Sequence, residues 1–198
     1  PPAARRELAD HWLARCASER RVADAFEVVR EALAASNAPE ALIALADRAV
    51  DDEYRHTELA RAVASRFAGE VLAEPERLPL VVPAHRYASP ELRHALHVLG
   101  HCALNETFAS AVLEAALREA TGTLAQAALR ELLADEIDHA RIGWAYLATL
   151  TPEARRALVP FLPELVVANL HAWRTTDRAY PSDPSLVAHG ALTAELID

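Results

Sequence analysis

A five-residue motif, D-E-x-x-H, occurs twice in this chain, at residues 52–56 and 135–139. Each copy lies in a stretch whose apolar residues recur every three or four positions, which is typical of an amphipathic α-helix. Residues three apart lie on the same face of a helix, so each copy directs one carboxylate and one imidazole the same way. The fold therefore has to accommodate two helices that each carry polar groups on an apolar face.

The composition favours an all-α protein. The chain has 198 residues, 52% of them hydrophobic, and only 5 glycines. Alanine and leucine are abundant and have high helix propensity, whereas strands favour β-branched and aromatic residues. The 12 prolines fall mainly in residues 75–90 and after residue 151, between the periodic segments. This length suits one domain with a substantial core.

The apolar spacing predicts four long helices, at residues 5–35, 39–68, 89–120 and 124–150. Residues 70–89 contain three prolines and no helical spacing. Twenty extended residues reach roughly 66 Å, and a thirty-residue helix is only about 45 Å long. The sequence therefore predicts a four-helix bundle with one long crossover between the second and third helices.

The last fifty residues are expected to form a separate part of the domain. Residues 1–150 are assigned to the bundle, and residues 151–198 to a C-terminal helix and arm that pack on it. The helical segment begins at Thr151, and Pro160 and Pro163 are expected to break or kink it. Residues 174–198 have little periodicity and are interpreted as an arm or cap.

Four glutamates fall at one level of the predicted bundle. Glu19 and Glu53 lie at similar distances on either side of the turn near residue 38, and Glu106 and Glu136 do so around the turn near residue 122. All four lie on the apolar face of their helix, as do the two histidines of the repeated motif. The six side chains are therefore expected to meet inside the bundle.

A group of buried carboxylates needs compensating charge, because like charges repel and desolvation adds several kcal/mol per ion. Two divalent metal ions would supply it, since carboxylate and imidazole ligands suit iron and manganese. The alternative is a polar seam in which the glutamates pair with arginines. The arginines available for such pairing are Arg20, Arg21, Arg30 and Arg55.

The six positions resemble the ligand pattern of rubrerythrins and bacterioferritins, within the ferritin-like superfamily, over residues 8–148. The neighbouring residues, such as N-E-T at 105–107 and D-E-x-x-H-A at 135–140, also resemble uncharacterised bacterial ferritin-like-domain proteins. The resemblance implies a ferritin-like four-helix bundle with a dinuclear metal site. The ligands that it implies are Glu19 and His56 as terminal ligands of one metal, Glu106 and His139 as terminal ligands of the other, and Glu53 and Glu136 as bridging, catalytic carboxylates.

Three further residues are candidates around this site. Glu27 competes with Glu19 as the ligand from the first helix, although it lies off the apolar face. Asp52 and Asp135 each precede a bridging glutamate, and we expect each to accept the second ring N–H of the histidine on the opposite helix.

Two other groups of residues are expected to have structural roles. Cys16 and Cys102 are interpreted as buried hydrophobic residues too far apart to form a disulfide. His94, His97 and His101 form a row on the third helix away from Glu106, and we expect that row to face solvent or another subunit rather than to form a second metal site.

Charge and hydropathy exclude several classes of partner. The chain has 20 basic and 29 acidic residues and a formal net charge of −9, which argues against nucleic acid. No apolar run approaches the ~20 residues of a membrane span. The first twenty residues do not resemble a signal peptide, so a cytoplasmic location is expected. The oligomeric state, including a homodimer, stays open.

Three functions follow as hypotheses. The first is a non-haem di-iron oxidase or oxygenase that activates O2 or peroxide and acts on a small molecule, with an external electron donor. The second is a ferroxidase that handles Fe(II). The third is a helical binding module without metals. The cofactor expected for the first two is a pair of iron ions, and manganese or a mixed pair is left open.

Overall fold

The computed structural model describes residues 2–175 and 183–192. Within these residues the chain is helical and contains no β-strand, which confirms the expected all-α class. The long helices pack side by side as a bundle. None of the helices in the described part of the chain is both long and apolar enough to cross a membrane.

The first two helices form an antiparallel pair. Helix α1 (Pro2–Ala35) and helix α2 (Glu40–Ala68) are joined by a short turn in which Asn37 has a positive φ of 50°. Helix α2 ends at Gly69, whose φ of 82° is the left-handed conformation that glycine adopts without strain. Both helices lie close to their predicted bounds.

The third helical stretch is interrupted. It consists of α3 (Pro90–Val98), a π-helical segment (Leu99–Asn105) and α4 (Glu106–Glu119). Ser89 caps its first turn by accepting a backbone N–H, as the sequence indicated. The prediction of a continuous α-helix is wrong in the middle of this stretch, because a π-helix bonds each residue to the fifth one along.

The C-terminal helices follow a fourth long helix, α5 (Thr123–Thr149). Helix α6 (Pro152–Leu158) and helix α7 (Leu162–Thr175) are separated by a short 3₁₀ turn at Val159–Phe161. This turn confirms that the prolines interrupt the segment.

The connection at residues 70–89 runs the length of the bundle. At its start, Leu72 donates its backbone N–H to α2. In its middle, Arg77 forms an ion pair with Asp24 of α1, and near its end the carbonyl of Pro83 lies 3.0 Å from a histidine of α3. The chain therefore leaves one end of the bundle and enters α3 at the other.

A short 3₁₀ helix, Pro184–His189, closes one end of the bundle. The carbonyl of Ala188 accepts the N–H groups of the turn between α4 and α5, and the indole of Trp12 donates to the carbonyl of His189 at 3.1 Å. This part of the predicted arm therefore acts as a cap. The remainder, at residues 176–182 and 193–198, lies outside the described residues, and the division of the chain at residue 150 stays a prediction.

Apolar side chains fill the bundle on both sides of a central polar layer. One cluster packs Phe26 and Leu96 against Leu158 and Leu165 of the C-terminal helices. The other packs Trp12 and Cys16 against α2, α4 and α5. On each of the four long helical stretches, the predicted glutamate lies between the two clusters, so the fold itself brings the glutamates to one level.

Candidate metal centre

Six ionisable side chains meet in the polar layer, and each of them is almost completely buried. The exposed fractions are 6% for Glu19, 0% for Glu53 and His56, 1% for Glu106 and His139, and 3% for Glu136. Charged residues are seldom buried to this extent unless they are paired or bind a metal. The layer is therefore the candidate functional site.

The donor atoms form two overlapping groups. In each group one atom from every residue lies within 4.8 Å of all the others, which is close enough for one metal ion to contact the whole group. Glu53 and Glu136 belong to both groups, so they occupy the positions of shared carboxylates. The groups are Glu19, Glu53, His56 and Glu136, and Glu53, Glu106, Glu136 and His139.

The Nδ1 atoms of both histidines point towards the shared carboxylates. The Nδ1 atom of His139 lies 3.0 Å from Oε1 of Glu53 and 3.3 Å from Oε2 of Glu136. The Nδ1 atom of His56 lies 3.4 Å from Oε2 of Glu53. Both rings therefore present the same nitrogen to the centre of the site.

The Nε2 atoms point the other way, towards aspartates on the opposite helix. The Nε2 atom of His56 lies 3.0 Å from Oδ2 of Asp135, and that of His139 lies 3.5 Å from Oδ2 of Asp52. When a carboxylate accepts Nε2–H, the neutral ring keeps a free electron pair on Nδ1. A neutral imidazole binds a metal through such an electron pair. This crossed arrangement is the one expected from the sequence.

Arg55 connects the two aspartates. Its guanidinium donates to Asp52 at 2.9 Å and to Asp135 at 2.8 Å, and it also binds Glu131 at 2.8 Å. The pKa of Asp52 is lowered to about 2, mainly by its hydrogen bond with His139 and further by its hydrogen bond with Arg55. Although burial opposes it, hydrogen bonds from His56 and Arg55 also lower the pKa of Asp135.

The seam of glutamate–arginine pairs is largely absent from the described residues. Arg30 forms an ion pair with Asp47 and Arg20 forms one with Asp24, each at 3.0 Å. Arg55 forms ion pairs with Asp52 and Asp135. Among the six buried side chains, Glu19 has a nearby arginine, with Nη1 of Arg15 3.4 Å from its Oε1. The other three glutamates therefore depend on the histidines, on protons or on cations for compensating charge.

Glu19, and not Glu27, faces the site from α1. Glu27 is exposed, whereas Glu19 belongs to the first group of donors. Burial therefore favours Glu19 over Glu27 as the residue of α1 at the site, and which of the two binds a metal stays a prediction.

Without a metal, protons balance the charges of this layer. Burial and the charge of Glu53 raise the pKa of Glu19 to about 7, and burial and Glu136 raise the pKa of Glu106 well above its usual value. Although burial opposes it, the neighbouring carboxylates raise the pKa of His56 to about 9, and the pKa of His139 is raised too. In the metal-free layer the raised pKa values therefore favour the protonated forms of Glu19, Glu106 and both histidines.

The donor atoms of the layer could hold metal ions. Among the described residues, both carboxylate oxygens of Glu53 and the Nδ1 atom of His56 are buried without a hydrogen bond, although imidazole nitrogens lie 3.0 and 3.4 Å from those oxygens. Buried polar atoms normally form hydrogen bonds. Carboxylates and imidazoles are metal ligands, so these buried groups could hold a metal ion.

His101 reaches this layer, and the prediction that it faces solvent or another subunit is wrong. Its Nε2 atom lies 3.2 Å from Oε1 of Glu106, and its ring packs edge-on against Phe26 at 4.8 Å. Burial lowers its pKa to about 4, so the ring is neutral. The spacing of five between His101 and Glu106 is that of a π-helical hydrogen bond, which here joins the Glu106 N–H to the His101 carbonyl, and that spacing was the one available sequence signal.

Glu106 also receives a hydrogen bond that links it to the C-terminal helices. The side-chain amide of Asn105 donates to Oε1 of Glu106 at 3.0 Å. The indole of Trp173, in α7, donates to the carbonyl oxygen of the same amide at 2.9 Å. Helix α7 therefore fixes the orientation of a group that contacts the site.

None of the family models, curated proteins or solved structures compared with this chain matches it. The chemistry of the centre therefore has to be inferred from its own residues.

Proposed function

We propose that this chain is a non-haem di-iron oxidoreductase with a ferritin-like four-helix bundle, and that it activates O2 or peroxide. The observation that carries the proposal is the pair of donor groups, each made of four buried side chains, that share Glu53 and Glu136. The residues that would hold the metals are Glu19, Glu53, His56, Glu106, Glu136 and His139.

The roles of the residues follow from their positions. Glu19 and His56 belong to the first group alone, and Glu106 and His139 to the second alone, so these four are the proposed terminal ligands. Glu53 and Glu136 belong to both and are the proposed bridges. Bound iron supplies redox chemistry with oxygen species, and manganese suits the same ligands.

The surrounding residues orient the ligands and keep water out. Asp52 and Asp135 hold the histidine rings with Nδ1 directed inwards. The two apolar clusters cover the layer from both sides. Turnover of an organic substrate by such a centre needs an external electron donor, so the proposed reactants are O2 or peroxide, a small molecule and a reductant.

The enclosure of the site favours a second candidate, a ferroxidase that oxidises Fe(II). All six side chains are at least nine-tenths buried. In addition, one cavity of about 380 Å³ lies at the end of the bundle, between residues such as Asn37 and Leu150, and none of the six lines that cavity. Metal ions and O2 need less space than an organic substrate. A metal-free helical module is the third candidate, because protons also balance the layer.

Metal analysis of the purified protein tests the proposal. We expect about two iron or manganese ions per chain after anaerobic loading, and none or one in Glu136→Ala, which removes a shared carboxylate. Glu114→Ala is the matched control, since Glu114 lies on the exposed side of α4 and pairs with Arg118, and this variant is expected to retain both ions. A wild-type protein that binds neither metal would favour the metal-free module.

Oxygen consumption separates the two enzymatic candidates. Continued Fe(II) oxidation without a reductant or an organic compound indicates a ferroxidase. Oxygen uptake that exceeds the bound iron and depends on an added reductant indicates an oxidase or oxygenase. A loaded protein that consumes no O2 or peroxide under either condition would contradict both.

A further inference from the structure

One buried nitrogen beside the centre has no role in the proposed ligand set. The Nε2 atom of His101 is buried and has no hydrogen-bond partner in the described part of the chain. It lies 3.2 Å from Oε1 of Glu106, but the direction of approach does not suit a hydrogen bond. Leaving a buried polar atom without a partner costs about 1–3 kcal/mol.

The backbone around His101 is also unusual. His101 lies in the π-helical segment Leu99–Asn105, which ends directly before Glu106. In a regular α-helix, residues five apart do not share a face, whereas in a π-helix they do. The π-helical geometry therefore brings the imidazole beside the carboxylate, and π-helical turns occur frequently at functional sites.

The position of the ring suits a ligand. An imidazole binds metal through the lone pair of a ring nitrogen, and the Nε2 atom of His101 lies beside the proposed ligand Glu106. Phe26 packs edge-on against the rings of both His101 and His139, at 4.8 and 4.9 Å. The two imidazoles therefore pack against the same aromatic ring.

We propose that His101 is a seventh protein ligand, which binds the metal ion held by Glu106 and His139. This inference rests on the proposed function. His101 lies outside the group of donors within 4.8 Å of one another, so its ring has to move towards the ion on binding. The two metal positions are then unequal: the position at Glu106 has two nitrogen ligands, and the position at Glu19 has one.

Proton NMR of the protein loaded with Co(II) counts the bound imidazoles. Cobalt shifts the exchangeable N–H signal of each coordinated ring far outside the ordinary spectral range. We expect three such signals from wild type, two from His101→Gln, and three from the control His97→Gln, whose histidine lies on α3 near the carbonyl of Pro83. Titration with Co(II) should show at least about tenfold weaker binding of one of the two ions in His101→Gln.

Two shifted signals in wild type, with Co(II) affinity unchanged in His101→Gln, would overturn the inference and leave the dinuclear centre intact. A wild-type protein that binds no Co(II), Fe(II) or Mn(II) would instead refute the proposed function. If the His101 variants fail to fold, as judged by circular dichroism, the number of shifted signals in wild type decides between three ligating histidines and two.

Discussion

Gly143 of α5 lies directly against the backbone of Ala103 in the π-helical segment. A Cβ atom at position 143 would stand 2.8 Å from the Cα of Ala103, a distance that real Cβ atoms essentially never show. Helix α5 and the π-helical segment therefore approach more closely than any side chain at position 143 permits. This contact lies one helical turn from His139 and thus helps to set the spacing of the site.

Replacing Gly143 with alanine should therefore destabilise the protein. The clash is with backbone, which cannot move aside, so we expect a loss of at least about 1–3 kcal/mol in the free energy of unfolding, measured with urea. The control is Gly100→Ala, whose Cβ would meet only the flexible side chain of Leu165, at 3.0 Å. Its cost should be close to zero, because alanine favours a helix over glycine by about 0.5–1 kcal/mol. Equal losses in the two variants would contradict this account.

Asp135 should support metal binding without contacting the metal. Asp135→Asn keeps the size of the side chain, but the neutral amide is a weaker hydrogen-bond acceptor for the Nε2–H of His56 than the carboxylate. We expect affinity for Mn(II) to fall about 10–100-fold, as is typical when such a partner is lost. Asp138→Asn is the control on the same helix, since the Asp138 side chain is 48% exposed and forms an ion pair with Arg141. A similar loss in both variants would indicate a general effect of charge.

The ligand from α1 can be identified by metal stoichiometry. Glu19→Gln should lose one of two bound ions, because Glu19 belongs to only one donor group. Glu27→Gln should keep both, because Glu27 is exposed. Loss of an ion in Glu27→Gln, with full loading of Glu19→Gln, would reverse the assignment.

Metal binding should release protons. In the metal-free protein the raised pKa values of Glu106, His56 and His139 favour the protonated forms of these groups, and the pKa of Glu19, at about 7, leaves that carboxyl partly protonated at neutral pH. Each group must lose its proton before it can bind a cation, so we expect protons to be released on loading, and affinity to increase from pH 6 to pH 8. Calorimetry in buffers of different ionisation enthalpy measures the release. Affinity that is independent of pH would contradict the charge distribution described above.

The two cysteines should be unreactive in the folded protein. Burial raises the pKa of Cys16 to about 11 and that of Cys102 well above its usual value, so at pH 8 both are protonated thiols. The two are free and lie in different apolar clusters. Reaction with a thiol reagent at pH 8 should be ~100-fold slower in native protein than in urea. Rapid modification of one thiol in the native state would point to a cavity beside it.

Much of the helical architecture could be predicted from the sequence. Apolar spacing located α1, α2 and α5 to within a few residues, and the cap at Ser89 fixed the start of α3. The six buried ionisable residues were found by register, since equal distances from a turn place residues at the same level of paired helices. The structure brings all six together, and whether they bind metals stays a prediction.

The apolar periodicity of the sequence did not predict the π-helical segment. Residues 99–105 have no composition that distinguishes a π-helix from an α-helix. The contact between Gly143 and Ala103 joins segments about forty residues apart, and periodicity in one helix carries no information about it. The prediction that His101 faces solvent or another subunit was wrong for this reason. The role of Arg55 between two aspartates was missed because it depends on which arginine reaches both helices.

The hydrogen bonds from Trp173 through Asn105 to Glu106 have a consequence for shortened versions of the protein. A chain that stops at residue 150 keeps every candidate ligand, yet it loses the indole that orients the Asn105 amide. The amide can then turn over and present its oxygen, instead of its N–H, to a carboxylate in the middle of the bundle. A fragment chosen only because it contains all the candidate ligands would therefore differ from the full chain in the hydrogen bonding of the Glu106 carboxylate.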